Sequence, residues 1–299
     1  MNYLKLGVSL YLPCTRHDLL AVANGERHAE TRSLIFCTED AIREDELEPS
    51  IRNLAALLPR LVPRTTLRFI RVRSPEVLGR VLDLPGIERI DGFVLPKVTR
   101  SKLRAYLGLL DGMPSFQLMP TIETVDAFDP QEMRALRELL CEPAVRPRIL
   151  SLRIGGNDLM ALLGVRRSTA CTIYETALGP VVAQLVGTFR PHGFNLTAPV
   201  FEGLRHPDVL AREVGMDLAY GLFGKAAIHP EQVNVIEAMY SVPSEDLEMA
   251  QRIVAQEGPA VFRMHDTMCE RATHESWARI TLKRAEIYGV RGNDQDDVY

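Results

Sequence analysis

The sequence predicts an α/β fold: a (β/α)₈ TIM barrel over residues 1–240, followed by a C-terminal helical extension over residues 241–299. Three observations favour this class. Short apolar segments alternate about eight times with amphipathic ones, which is typical of parallel strands joined by helices. The apolar segments are nearly continuous, as expected for strands that are covered on both faces. No G-x-G-x-x-G motif follows the first apolar segment, which disfavours the alternative of an open dinucleotide-binding sheet.

The predicted strands are runs of apolar or β-branched residues bounded by turn residues. The run at 224–229 is the weakest, because it is short and rich in alanine. The eight runs cover residues 6–13, 32–37, 67–72, 91–96, 116–120, 149–154, 194–199 and 224–229.

The segments between these strands carry apolar residues at helical spacing. Over residues 43–58, Leu47, Ile51, Leu54 and Leu58 form one stripe. Asp129 is the predicted N-cap of another helix, and Gly179-Pro180 interrupts a long one. The predicted helices are 43–58, 101–110, 129–140, 169–189, 206–219, 229–240, 244–258 and 269–289, with no strand between the last two.

Composition and charge exclude several classes of function. The net charge of −4 argues against nucleic acid as the main partner, because phosphate binding needs a basic surface. No apolar run approaches the roughly 20 residues of a membrane span. The first apolar run is too short for a signal peptide. The five cysteines form no C-x-x-C pair, so we expect reduced thiols and a cytoplasmic protein.

Two acidic residues follow neighbouring predicted strands. Glu123 comes after the fifth run and Asp158 after the sixth. In a (β/α)₈ barrel the carboxyl ends of the strands form the active site, and neighbouring strands lie about 4.8 Å apart. The two carboxylates can therefore converge on one Mg²⁺ ion, with Mn²⁺ as the alternative. Helix capping is the other interpretation of Asp158.

Further charged residues follow other strands. Arg71 is a candidate for binding a substrate carboxylate through its forked guanidinium group, although a salt bridge to Glu39 or Asp40 is an alternative. The predicted catalytic residues are Arg71, Glu39 and Asp40. The predicted substrate-binding residues are Arg71, Arg16, Lys97 and Pro199.

At these residues the sequence resembles the citrate lyase β-subunit family within the HpcH/HpaI aldolases. "CTEDAI", "IRVRS" and "DGFVLPKV" resemble the family segments after strands two, three and four. "PTIET" and "GGNDLMALLG" place the family's metal-binding acids on Glu123 and Asp158, and "GKAAIHPEQV" is nearly identical to the family's segment. The C-terminal "MCERATHESWARITLKRAEIYGV" resembles a branch of C–C bond lyases from tellurite-resistance gene clusters.

The resemblance implies a Mg²⁺-dependent lyase that cleaves a carbon–carbon bond by retro-aldol or retro-Claisen chemistry. Its substrate would be a small hydroxy- or oxo-carboxylate or the corresponding CoA thioester. Arg71 would hold the carboxylate, while Glu39 and Asp40 would position metal-bound waters or assist proton transfer. Relatives form trimers or hexamers, so a homo-oligomer is expected, with the C-terminal extension as a lid or an oligomer contact.

The sequence departs from the family pattern at three positions. Cys14 replaces a glycine in the loop after strand one, Asn157 replaces an acid beside Asp158, and Arg73 replaces an asparagine. The first change puts the usual docking of a thioester in doubt. Two alternatives to the lyase stay open: a thioester hydrolase on the same scaffold, and a non-catalytic barrel that binds a ligand or serves in assembly.

Overall fold

Eight parallel strands follow one another around a barrel in the first part of the chain. The structure, a computed structural model, describes residues 1–113, 116–255 and 257–292. The barrel strands are β1 (Val8–Pro13), β2 (Ser33–Cys37), β3 (Leu67–Arg71), β4 (Gly92–Leu95), β5 (Gln117–Ile122), β6 (Leu152–Ile154), β7 (Leu196–Thr197) and β8 (Lys225–Ala227).

The pairing order confirms the predicted barrel. Each strand pairs in parallel with the next along the chain from β1 to β7, and β8 pairs with β1. A parallel bridge between Ala198 and Lys225 closes the barrel between β7 and β8. All eight predicted strand segments contain a strand, with ends that differ by a few residues.

Helices connect the strands, as the amphipathic segments predicted. The sequence pattern missed three short ones, α1, α3 and α6. The helices of the barrel region are α1 (Leu19–Ala23), α2 (Leu47–Leu57), α3 (Pro75–Leu82), α4 (Arg100–Leu109), α5 (Pro130–Leu140), α6 (Gly156–Leu162), α7 (Gly179–Phe189), α8 (Pro207–Ala219) and α9 (Glu231–Tyr240).

Local residue chemistry explains where several helices begin. The carboxylate of Asp129 accepts a hydrogen bond from the backbone N–H of Gln131, which confirms the predicted cap of α5. The predicted long helix over 169–189 is wrong in its first half. That segment holds a 3₁₀ turn at Ile173–Glu175, and α7 begins at Gly179 because Pro180, which has no N–H to donate, suits a first turn.

The barrel interior has an apolar lower layer. Ile35, Phe69, Val94 and Met119 belong to one buried cluster. Ser33 precedes Ile35 by two residues on β2, so it faces the same side nearer the amino end of the strand. Its hydroxyl is hydrogen-bonded to that of Ser9 at 2.8 Å. The apolar cluster therefore lies between this hydroxyl pair and the carboxyl ends of the strands.

The chain divides into two compact units, Met1–Val233 and Asn234–Tyr299. The second contains α10 (Ser244–Val254) and α11 (Arg271–Tyr288), with β9 (Val242–Pro243) paired to β12 (Val290–Arg291). The expectation of no strand between the two helices is wrong. A hairpin of β10 (Val261–Met264) and β11 (Thr267–Glu270) lies there.

The hairpin is held by its packing against the helices. Cys269 of β11 is fully buried in a cluster with Ala250, Ile253 and Ala278. The two strands of the hairpin are only four residues each, so their sequence pattern does not reveal that they pack against the helices. Residues 293–299 of the predicted extension lie outside the described residues.

Among the helices in the described part of the chain, none combines the length and apolar composition that crossing a membrane requires.

A buried ionic network attaches β8 to α8. The Nζ of Lys225 lies 2.9 Å from Glu213 Oε1 and 2.9 Å from Asp217 Oδ2. Arg167 also pairs with Glu213, and Tyr174 donates its hydroxyl hydrogen to Asp217. Burial raises the pKa of Asp217 to about 6 even though Lys225 is adjacent. The network therefore fixes the strand that closes the barrel.

We expect Lys225→Met to lower the free energy of unfolding by roughly 3–5 kcal/mol, because it leaves the buried Asp217 without a cation and Glu213 with Arg167 alone. Lys5→Met, which removes an exposed lysine, is the matched control. Urea denaturation followed by circular dichroism measures both. A loss below about 1 kcal/mol for Lys225→Met, the range of an exposed ion pair, would contradict this role.

Candidate active site

A cavity of about 450 Å³ opens at the carboxyl ends of the barrel strands. Its polar lining comes from five strands or the residues that directly follow them. The lining includes Tyr11, Cys37, Asp40, Arg71, Thr121, Glu123, Arg153, Asn157 and Asp158. Both residues predicted to hold the metal therefore face one cavity.

Glu123 follows β5 directly and is only 3% exposed. Its Oε1 accepts hydrogen bonds from Arg71 Nη2 at 3.1 Å and from the backbone N–H of Lys97 at 2.8 Å. Lys97 has φ 49°, a left-handed conformation that is uncommon for a residue other than glycine. The backbone after β4 is thus held in a strained conformation that donates to this carboxylate.

Gly155 leaves the space that the Glu123 carboxylate occupies. A Cβ at Gly155 would lie 2.2 Å from Glu123 Oε2, closer than any real contact. Asp158 then follows in the first turn of α6, so it sits on a helix and not in the loop that the sequence suggested. Gly155 is the residue at the N-cap position, which rules out capping as the role of Asp158.

Arg71 lies at the centre of the carboxylate cluster. Its Nη2 is 2.7 Å from Glu39 Oε2, 2.9 Å from Asp40 Oδ2 and 3.1 Å from Glu123 Oε1. The alternative of a salt bridge to Glu39 or Asp40 is therefore realised with both. These contacts all use Nη2, and the buried Nε has no hydrogen-bond partner among the described residues.

Lys97 also forms ion pairs within this carboxylate cluster. Its Nζ is 2.6 Å from Glu39 Oε1, 3.0 Å from Asp40 Oδ1 and 3.5 Å from Asp158 Oδ1. Four carboxylates thus share two cationic side chains in direct ion pairs. The excess of negative charge is of the kind that a divalent cation neutralises.

The pKa values of two acids reflect this environment. Burial raises the pKa of Glu123 to about 7; the charge of Arg71 opposes the rise and that of Asp158 adds to it. Burial would also raise the pKa of Asp40, but hydrogen bonding within the cluster, including that from Lys97, holds it below its ordinary value. The charge of Asp158 contributes to the pKa of Glu123, so the two predicted metal ligands interact electrostatically.

Four predicted site residues are not part of the cavity lining: Arg16, Lys97, Pro199 and Glu39. Arg16 forms an ion pair with Asp18 at 2.7 Å and is not part of the cavity lining. Pro199 packs against Gly156, whose added Cβ would lie 2.8 Å from the proline Cβ, while its neighbours Ala198 and Val200 line the cavity. The position after a strand is a poor guide for Arg16, because its guanidinium pairs with Asp18.

Sequence reasoning assigned no site role to five of the polar lining residues, Tyr11, Cys37, Thr121, Arg153 and Asn157. Tyr11 and Arg153 lie inside strands. The available signal was an arginine within the apolar run "ILSLRI", which is unexpected for a buried strand.

The described residues include no group of three or more histidine, cysteine, aspartate or glutamate side chains placed to hold a metal ion by themselves. The donor set still suits Mg²⁺, which takes one or two protein carboxylates and completes its octahedron with water and substrate oxygens. Glu123 and Asp158 are such a pair, because both line the cavity.

A family model described as the C–C bond lyase of the TIM-barrel fold matches residues 1–290. The chain belongs to this family. A (3S)-malyl-CoA thioesterase of Cereibacter sphaeroides is 27% identical over 286 residues, 93% of each chain. The citrate lyase β subunit of Escherichia coli is 23% identical over 150 residues, 48% of each chain.

A solved structure shares the fold. CitE of Mycobacterium tuberculosis, in complex with magnesium, acetoacetate and coenzyme A, superposes with a TM-score of 0.69 at 19% identity, over 94% of this chain and 98% of that one. The resemblance to citrate lyase β subunits that the sequence motifs indicated is confirmed by these comparisons.

The raised pKa of Glu123 gives a stability test in metal-free buffer with EDTA. The folded protein holds this proton more tightly than the unfolded chain, so its contribution is full below about pH 4.5 and is lost as the pH rises to about 7. The loss is of the order of 3 kcal/mol. We expect Glu123→Gln to lack it, and Glu132→Gln, an exposed control on α5, to behave as wild type. Identical pH profiles for wild type and Glu123→Gln in denaturant titrations would contradict the shift.

Proposed function

We propose that this chain is a Mg²⁺-dependent carbon–carbon lyase acting on a small hydroxy- or oxo-carboxylate or its acyl thioester. The observation that carries the proposal is that Glu123 and Asp158 face one cavity in which Arg71 is also exposed to a ligand. The likeness to CitE, whose structure contains magnesium, supports Mg²⁺ as the ion, with Mn²⁺ as the alternative.

Glu123 and Asp158 would hold the ion. When bound, it would supply Lewis acidity toward the oxygen that gains negative charge as the carbon–carbon bond breaks. Two protein carboxylates leave coordination positions open for a substrate, which a catalytic ion requires.

Arg71 and Lys97 would orient the substrate anion. Arg71 contacts the acids through Nη2, so its other guanidinium nitrogens remain available for a carboxylate. Lys97 is 38% exposed through its side chain and can turn toward a ligand at modest cost. Glu39 and Asp40 would hold both cations in position.

Cleavage of a β-hydroxy acid needs a proton acceptor. The hydroxyl proton leaves to a base, the hydroxyl carbon becomes a carbonyl, and the electron pair of the broken carbon–carbon bond passes to the released acyl fragment as its enolate. That enolate then takes up a proton. Asp40, which lines the cavity with its side chain 53% exposed, is the acid best placed to exchange protons there.

A thioester hydrolase is the second candidate, because the Cereibacter relative that aligns with 93% of the chain is a malyl-CoA thioesterase. Incubation with both diastereomers of malyl-CoA separates the two activities. Hydrolysis releases a free thiol, which a thiol reagent detects. Lyase cleavage releases a 2-oxo acid, which phenylhydrazine detects, and leaves the thioester intact.

We expect Glu123→Gln and Asp158→Asn each to lower Mg²⁺ affinity by at least roughly tenfold and to reduce turnover to a similar or greater extent. Mn²⁺ binding followed by electron paramagnetic resonance measures affinity independently of activity. Glu132→Gln is the control. Equal metal affinity in wild type and Glu123→Gln would favour the non-catalytic barrel.

Gly155→Ala tests the geometry of the same carboxylate without removing it. The added Cβ would overlap Glu123 Oε2, so the carboxylate must move. We expect metal affinity to fall roughly tenfold, as when an oriented ligand loses its support. Gly79→Ala, where the added Cβ meets no atom within 4 Å, should bind metal as wild type does. Unchanged affinity in Gly155→Ala would show that Glu123 does not bind the ion in this position.

A further inference from the structure

A second arginine, Arg153, shares the cavity with Arg71. It belongs to β6 and is 3% exposed, yet it lines the cavity. Its Cζ lies 5.5 Å from the centroid of the Tyr11 ring, and the Cζ of Arg71 lies 5.9 Å from the same centroid. The aromatic ring therefore lies beside two guanidinium groups within one cavity.

The two arginines differ in their partners. Arg71 contacts three carboxylates. Arg153 forms no ion pair with any described residue, and the hydrogen bond it makes goes to Met119 Sδ at 3.9 Å, a weak acceptor. A charge buried without a counterion is costly unless something compensates it. An anion entering the cavity would supply that compensation.

The residues in register with Arg153 also lack partners. Arg153 pairs with Thr121 of β5 on one side and with Thr197 of β7 on the other. Residues paired in register face the same side of a sheet, so these hydroxyls point with Arg153 into the barrel. Both Oγ1 atoms are buried, and no described residue offers either a hydrogen bond. Of the two threonines, Thr121 lines the cavity together with Arg153.

We propose that Arg153, with Thr121 beside it, binds a second carboxylate of the substrate within the cavity. The ligand class is a small hydroxy- or oxo-dicarboxylate, whose other end lies at Glu123, Asp158 and Arg71. This inference rests on the proposed function for the assignment of that other end. A guanidinium binds a carboxylate through two parallel hydrogen bonds, and hydroxyls can donate to the same oxygens.

The test compares two 2-hydroxy acids that differ by one carboxylate, malate and lactate, each enantiomer separately, by isothermal titration calorimetry with Mg²⁺ present. We expect the wild type to bind one malate enantiomer at least roughly tenfold more tightly than lactate, as for a charge-assisted pair. Arg153→Met should abolish this preference while leaving the affinity for lactate unchanged. Arg104→Met, an exposed change of the same charge, should retain it.

Two milder variants keep the test valid if Arg153→Met does not fold. Arg153→Lys retains the charge without the fork and should lose most of the preference, and Thr121→Val should reduce it severalfold. The inference is overturned if the wild type does not prefer malate, or if folded Arg153→Met, or Arg153→Lys together with Thr121→Val, keeps the wild-type preference. If the wild type prefers malate but shows no Mg²⁺-dependent turnover of malyl-CoA, that result would count against the proposed function and not against this inference.

Discussion

The site depends on one constraint: the carboxylate of Glu123 is buried at the end of β5 and must be compensated there. Arg71 and the backbone N–H of Lys97 supply the compensation. Each has a structural cost, since Arg71 is itself buried and Lys97 adopts a left-handed conformation. Gly155 has no side chain because the carboxylate fills that space. Three separate barrel positions are therefore constrained by a single acidic group.

The same arrangement means that cationic side chains of the protein serve as counterions for the acidic cluster. Arg71 and Lys97 neutralise part of the negative charge of the acidic cluster. An ion held by Glu123 and Asp158 would compete with these cations for carboxylate oxygens. That competition weakens metal binding, but it also frees guanidinium and ammonium donors close to where a substrate carboxylate would sit. Metal and substrate binding are then expected to favour each other.

Sequence patterns predicted the strands and the acids well, because both depend on local signals. Apolar runs mark β1 to β8, and parallel strands must bring the residues after them to one end of the barrel. Predictions failed where tertiary contacts decide. Arg16 turns to Asp18, and the hairpin at β10 and β11 is stabilised by packing against helices. Arg153 was missed because the run around it is apolar and no local pattern shows that its side chain faces the cavity.

The position of Arg153 also bears on the length of the ligand. Met119 precedes Thr121 by two residues on β5, so it faces the same interior one layer deeper, where it joins the apolar cluster with Phe69 and Val94. No carboxylate could be stabilised below that layer. Glu123 follows Thr121 by two residues and faces the same side. The polar part of the cavity therefore extends from Glu123 to Arg153. A ligand that satisfies both ends must carry its two anionic groups only a few carbons apart, which favours compact diacids over extended ones.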